Sequence, residues 1–158
     1  MNNFIFFYVD TKTAFLSDRH RGIERENINL FIKSIRKYHT ESTIIHCTDI
    51  STETFKDVDI VHRKEFDLNH LMVGKIKCFS SFPVNKSSIY LDPDMLMMKA
   101  IPLKLFEEKA DVFLLKRSFD LSNTIPTMFR KIEFPNHKNK SLKDLYPYIA
   151  CFVIVKNQ

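Results

Sequence analysis

The sequence predicts an α/β fold, a single domain in which a mostly parallel central sheet is flanked by helices. Three observations predict it. Short runs of branched and aromatic residues alternate with helical segments of about 10–15 residues, the pattern of successive strand–helix–strand units. The first run, Phe4–Val9 (FIFFYV), is apolar at every position, as in a strand covered on both faces. The length of 158 residues suits one domain, and 44% hydrophobic with 27% charged residues excludes a disordered or fibrous chain.

The elements follow in order. Phe4–Val9 is the first strand, stopped by Asp10, and a polar loop (DTKTAFLSDRHRG) comes next. From about Glu24 to Tyr38, residues Ile28, Phe31, Ile32 and Ile35 fall at i, i+3, i+4 and i+7, the spacing of an amphipathic helix. Thr43–Cys47 (TIIHC) and Asp59–Val61 (DIV) read as strands. A second helix is expected from about Leu68 to Phe82, ending at or before Pro83, which cannot continue it. Its apolar stripe would be Leu68, Leu71, Met72, Phe79 and Phe82, with Lys75 near the middle. Ser88–Leu91 (SIYL) is the next strand, closed by Asp92-Pro93-Asp94. A short amphipathic piece after Pro102, a strand at Asp111–Leu115, an irregular polar stretch from Lys116 to Pro147 and a last strand at Ile149–Val155 complete the chain.

Composition excludes several function classes. There are two glycines, Gly22 and Gly74, far apart in the chain. They cannot form a P-loop or a G-x-G-x-x-G turn, so if the chain binds a nucleotide, side chains and a metal must do what glycine-rich backbone does elsewhere. Cys47, Cys78 and Cys151 are odd in number and lack C-x-x-C spacing. They read as small buried apolar residues, neither a disulfide set nor a zinc site. No apolar run reaches the roughly 18 residues that span a bilayer, and the amino terminus lacks a basic signal region. A cytoplasmic protein without a membrane span is the expectation. Lys plus Arg number 24 against 19 Asp plus Glu, a formal net charge of +5 that favours anionic partners. The basic residues are dispersed, without Trp or an aromatic–basic repeat, and no nucleic-acid partner is expected.

Ligands of an open parallel sheet bind beyond the carboxyl ends of its strands. Asp10 follows the first strand, and Asp92 with Asp94 follows Ser88–Leu91. Two carboxylates one residue apart on a turn can share a hard divalent cation with its phosphate ligands. Asp57-Val58-Asp59 has the same spacing but precedes a strand, so it reads as a solvated lead-in turn. Position, not spacing, singles out Asp92 and Asp94. Lys75 either snorkels outward or faces inward and needs an anion, because burying an unpaired ammonium is prohibitive. A ligand phosphate or Asp92 would serve. The adjacent His46 and Cys47 point to opposite faces of a strand, which argues against a thiol–imidazole pair. Met95, Met97 and Met98 are expected to pack.

The string SIYLDPDMLMMKAIP, followed by Leu105-Phe106, resembles the metal-binding segment of GT-A-fold glycosyltransferases, in particular the glycogenin- and lipopolysaccharide-galactosyltransferase-like group. Asn29–His39 is similar to that group's first helix, and Ala150–Asn157 to a later strand. The resemblance implies a Rossmann-like GT-A domain over residues 1–158 that binds a nucleotide-sugar, with the acceptor part at the carboxyl end short or missing. It implies a hexosyltransferase using a UDP-sugar donor with Mn²⁺ or Mg²⁺, and a glycan, lipid or protein acceptor. Carried over by residue, Asp94 would hold the metal, and Asp92 the ribose or the same metal, with Pro93 between them at the donor. Tyr8, Val9, Asp10 and Thr11 would line the uridine pocket, and Lys75 would touch the donor phosphates or sugar. Ala150 and Phe152 stand where the group usually has a polar residue and a glycine. Two other readings compete. One is a non-catalytic nucleotide- or polyanion-binding remnant of this fold. The other is a haloacid-dehalogenase-like phosphatase, whose D-x-D normally follows the first strand and carries Thr or Val where Leu96 stands.

Overall fold

The computed structural model describes residues 2–10, 24–82, 86–102, 104–107, 110–116, 128–129, 132–133 and 148–156. The chain divides into two compact units, residues 1–113 with 153–158, and residues 114–152. The elements are β1 (Asn3–Phe7), α1 (Arg25–Tyr38), β2 (Thr43–Thr48), β3 (Ile60–Arg63), a 3-10 turn (Leu68–His70) leading into α2 (Leu71–Ser81), β4 (Ser88–Leu91), α3 (Lys104–Glu107), β5 (Val112–Lys116), β6 (Met128–Phe129), β7 (Ile132–Glu133) and β8 (Tyr148–Val155). The sheet runs β3-β2-β1-β4-β8-β5. β1 pairs in parallel with both β2 and β4, and β2 with β3. The Lys156 N–H donates to the Asp111 carbonyl at 2.8 Å, which ties the end of β8 to the start of β5, as in an antiparallel pair. In the second unit, β6 and β7 form a short antiparallel pair. The stretch expected to be irregular throughout therefore holds a hairpin-like pairing.

Alternate residues of β1 and β2 serve opposite faces of the sheet, as the pleat dictates. On one face Phe6 meets Phe31 of α1 edge-on, with centroids 5.4 Å apart, and stacks on His46 at 4.8 Å. The α1 stripe is realised as expected: Ile28, Phe31, Ile32 and Ile35 are all buried, each side chain worth about 1.5–3 kcal/mol of apolar burial. On the other face Ile5, Ile45 and Cys47 pack with Cys78 of α2, and Phe7, Phe66, Phe79, Phe82 and Tyr90 surround them. His46 and Cys47 thus face apart, as strand neighbours should.

The second helix differs from expectation in two respects. Leu68–His70 forms a separate 3-10 turn, started by Asp67, whose carboxylate accepts the Asn69 N–H at 2.9 Å. The buried positions of α2 are Gly74 and Cys78, while Met72 is 66% exposed and so lies off the inward stripe. The cause is Gly74. A Cβ there would stand 2.4 Å from the Phe66 ring, so the absent side chain lets Phe66 reach the helix and turns this face inward. Packing was also expected of all three methionines after the D-x-D, but Met98 is 77% exposed. Cys47 and Cys78 are buried free thiols as anticipated, whereas Cys151 is half-buried.

Candidate functional site

Three segments meet at the carboxyl edge of the parallel strands, all within the first unit. They are the end of β1, the turn after β2 and the turn after β4. Asp92-Pro93-Asp94-Met95 is a four-residue turn closed by the Met95 N–H donating to the Asp92 carbonyl at 3.3 Å. The sequence dictates it, since Asp suits the first position and Pro pre-sets the backbone of the second. Downstream the chain runs back along α1. The Met97 N–H donates to Ser34 Oγ at 2.9 Å, and the Ile101 N–H to His39 Nε2 at 3.1 Å.

The two carboxylates of this turn have different surroundings. Asp92 Oδ1 is paired with Lys75 Nζ from α2, the side chains being 32% and 21% exposed. The same ammonium lies 5.6 Å from the centre of the Phe79 ring. Lys75 therefore does face the sheet's edge, and its anion within the chain is Asp92. Asp94 is exposed. It lines a cleft of about 550 Å³ with Pro93, Met95 and Leu96 of its own turn and Glu24, Asn27 and Leu30 of the α1 region. Among the described residues no three His, Cys, Asp or Glu side chains cluster as a ready-made metal cage.

The end of β1 is held by groups that the sequence reading passed over. The Asp10 N–H donates to Thr52 Oγ1 at 2.9 Å. The Thr52 N–H in turn donates to Asp49 Oδ1 at 3.0 Å, and Asp49 also accepts from the Ser51 N–H and hydroxyl. Burial works to raise the Asp49 pKa, but these hydrogen bonds from Ser51 and Thr52 outweigh it and hold the carboxylate below its usual range. An Asp followed by Ser-Thr just after a strand is a side-chain-capped turn, a signal legible in the sequence. Arg63 closes the same turn by donating to the carbonyls of Asp49 and Thr52 at 3.0 and 2.8 Å.

Tyr8 and Val9 are both buried. The Tyr8 ring packs edge-on against Phe55 at 5.5 Å, and its carbonyl accepts from His46 Nε2 at 2.9 Å. Burial raises the Tyr8 pKa, Asp10 adds to the effect and Arg25 opposes it. Asp10 is half-buried. Thr11 lies outside the described residues, as do the loop arginines Arg19 and Arg21. Arg25 is spent on structure: it donates to the carbonyls of Glu53 and Thr54 and lies 4.4 Å over the Phe55 ring.

The Asp57–Asp59 pair is structural too. Asp59 Oδ2 accepts the Ile44 N–H at 2.7 Å and pairs with Arg36 at 2.5 Å, securing the first residues of β2.

Solved structures share this overall fold. A crystal structure of the galactosyltransferase LgtC with donor and acceptor sugar analogues superposes with a TM-score of 0.55 at 12% identity, over 98% of this chain and 57% of that one. An active-site mutant of LgtC gives a TM-score of 0.51 at 11% identity with the same coverage. The fold is that of a GT-A glycosyltransferase. This chain spans a little over half the length of those neighbours. No family model matches the sequence, and no curated protein matches it either. Among the described residues of this GT-A fold, no helix is long and apolar enough to cross a membrane.

Proposed function

We propose that this chain binds a UDP-sugar together with Mn²⁺ or Mg²⁺ and transfers the hexosyl group to a glycan, lipid or protein acceptor. The observation that carries this reading is the position of the Asp92–Asp94 turn at the carboxyl end of β4 in a GT-A sheet, with Lys75 converging on it. Two hard oxygen donors suit a cation that keeps several waters and phosphate ligands, so no closed protein cage is required. The Lys75 ammonium on Asp92 shows that positive charge is already accommodated at that oxygen. Asp94, with Asp92, would hold the metal, which when bound neutralises charge on the departing diphosphate.

The residues of the chain supply the rest. Transfer breaks the bond from the anomeric carbon to the diphosphate oxygen and forms one to an acceptor hydroxyl, whose proton is lost. Lys75 adds a second positive charge beside the leaving group. The Asp10 backbone, fixed by Thr52, shapes the floor of the nucleoside pocket, and Tyr8 and Val9 brace it from the core.

Calorimetric titration of UDP with and without Mn²⁺, repeated on Asp94→Asn, tests the reading. Metal-dependent binding that the variant loses supports it and justifies a screen of UDP-sugars for turnover. Absence of binding in both conditions, or phosphate release from simple monoesters, would replace it.

A further inference from the structure

Of the two carboxylates on the Asp92–Asp94 turn, one is already neutralised by a cation built into the chain. Lys75 holds Asp92 Oδ1 from α2, in a pair only partly open to solvent. Among the described residues Asp94 makes no ion pair. A divalent cation that uses both carboxylates therefore competes with the ammonium for Asp92, because positive charges brought to one carboxylate repel each other.

We infer that Lys75 is an exchangeable internal counter-ion: it neutralises Asp92 in the empty protein and moves onto the donor diphosphate when a divalent cation takes Asp92. This rests on the donor-site reading above. The geometry favours it on two counts. The root of the side chain is fixed, since Gly74 seats α2 against Phe66 one residue earlier. The head is free to turn, since lysine carries a compact charge on a flexible four-carbon stem. Displacing Lys75 weakens cation binding, and its capture by the diphosphate recovers that loss, so each ligand strengthens binding of the other. A lysine with a purely structural role would produce no such coupling.

The test uses the whole chain and two probes, Mn²⁺ alone and UDP at saturating Mn²⁺, on wild type, Lys75→Met and Lys75→Arg. Lys75→Met should bind Mn²⁺ alone roughly three- to tenfold more tightly, having lost the competitor, and UDP roughly tenfold more weakly. Lys75→Arg, which keeps the charge, should stay nearer to wild type for both probes. Opposite signs for the two probes support the inference. Weakening of both, or no change in either, overturns it while leaving the donor site standing. A wild type that binds neither probe overturns the donor-site reading itself, and the inference with it. Should Lys75→Met fail to fold by circular dichroism, Asp92→Asn gives the complementary result. Mn²⁺ binding should weaken while metal-free UDP binding holds or tightens, and a loss of metal-free UDP binding would sink the idea.

Discussion

The Asp10 N–H donates to Thr52 Oγ1, so the segment that follows β1 is held by a side chain 42 positions further along. Thr52 is itself almost fully buried. Thr52→Val keeps the shape but removes the hydroxyl that accepts from the Asp10 N–H, at a cost of about 1–3 kcal/mol. Urea denaturation should show that loss, and UDP should bind more weakly to the folded variant. Thr52→Ser, which retains the oxygen, should recover most of both.

Gly74 gives a prediction of unusual sign. In a helix interior, alanine is normally favoured over glycine by about 1 kcal/mol. Here the new methyl group would collide with the Phe66 ring, and overpacking of this kind costs about 1–3 kcal/mol. Gly74→Ala should therefore lower the thermal midpoint, and adding Phe66→Leu should restore part of it. A rise in midpoint for the single variant would show that the ring moves aside freely.

The two D-x-D pairs form an internal control. Asp59→Ala removes the acceptor of the Ile44 N–H and the partner of Arg36, so a loss of about 1–3 kcal/mol is expected, with Mn²⁺-dependent UDP binding retained in the folded protein. Asp94→Asn should do the reverse, leaving stability within about 0.5 kcal/mol because the residue is exposed. Parallel denaturation and calorimetry on both variants separate the two roles.

His46 makes stability depend on pH. Its ring is fully buried, Nδ1 has no hydrogen-bond partner among the described residues, and burial, with help from Arg63 and Arg25, lowers its pKa from 6.5 to about 4. Between those values the unfolded chain binds the proton and the folded chain does not, so stability falls as the pH drops from 6.5 towards 4. The full effect is about 3 kcal/mol. The urea midpoint should fall across that window, and His46→Gln, which can still donate to the Tyr8 carbonyl, should flatten the profile.

Much of the fold was legible because it depends on local pattern. The α1 stripe is four residues at helical spacing, and β4 occupies the same residues, Ser88–Leu91, that its apolar run marks. The D-x-D was legible because Pro93 makes the turn and the preceding strand gives its place. The rotation of α2 was not, since it depends on a ring from the preceding loop entering the gap at Gly74. Periodicity assigned Met72 to the core because it scores hydrophobicity without knowing which position has room. Spacing put Lys75 near the middle of the stripe but left open whether its head turned inward or snorkelled outward, and whether its anion was Asp92 or a ligand. The structure pairs it with Asp92. The Asp10–Thr52 bond was invisible for another reason: only the β1–β2 pairing brings those two residues together.

Register carries a consequence for how the chain can vary. Phe6 of β1 is level with Leu91 of β4, and Phe7 with Cys47 of β2, so the segments bearing Asp10, Thr52 and Asp92 leave the sheet at matched heights. One residue inserted into or deleted from β4 would exchange its two faces and swing Asp92 away from α2. Substitutions can accumulate along these strands wherever volume is conserved, but changes of length cannot. Viable insertions should therefore be confined to the connections between elements, and a scan of single-residue insertions through β1, β2 and β4 would map the part of the chain that measures distance rather than stores chemistry.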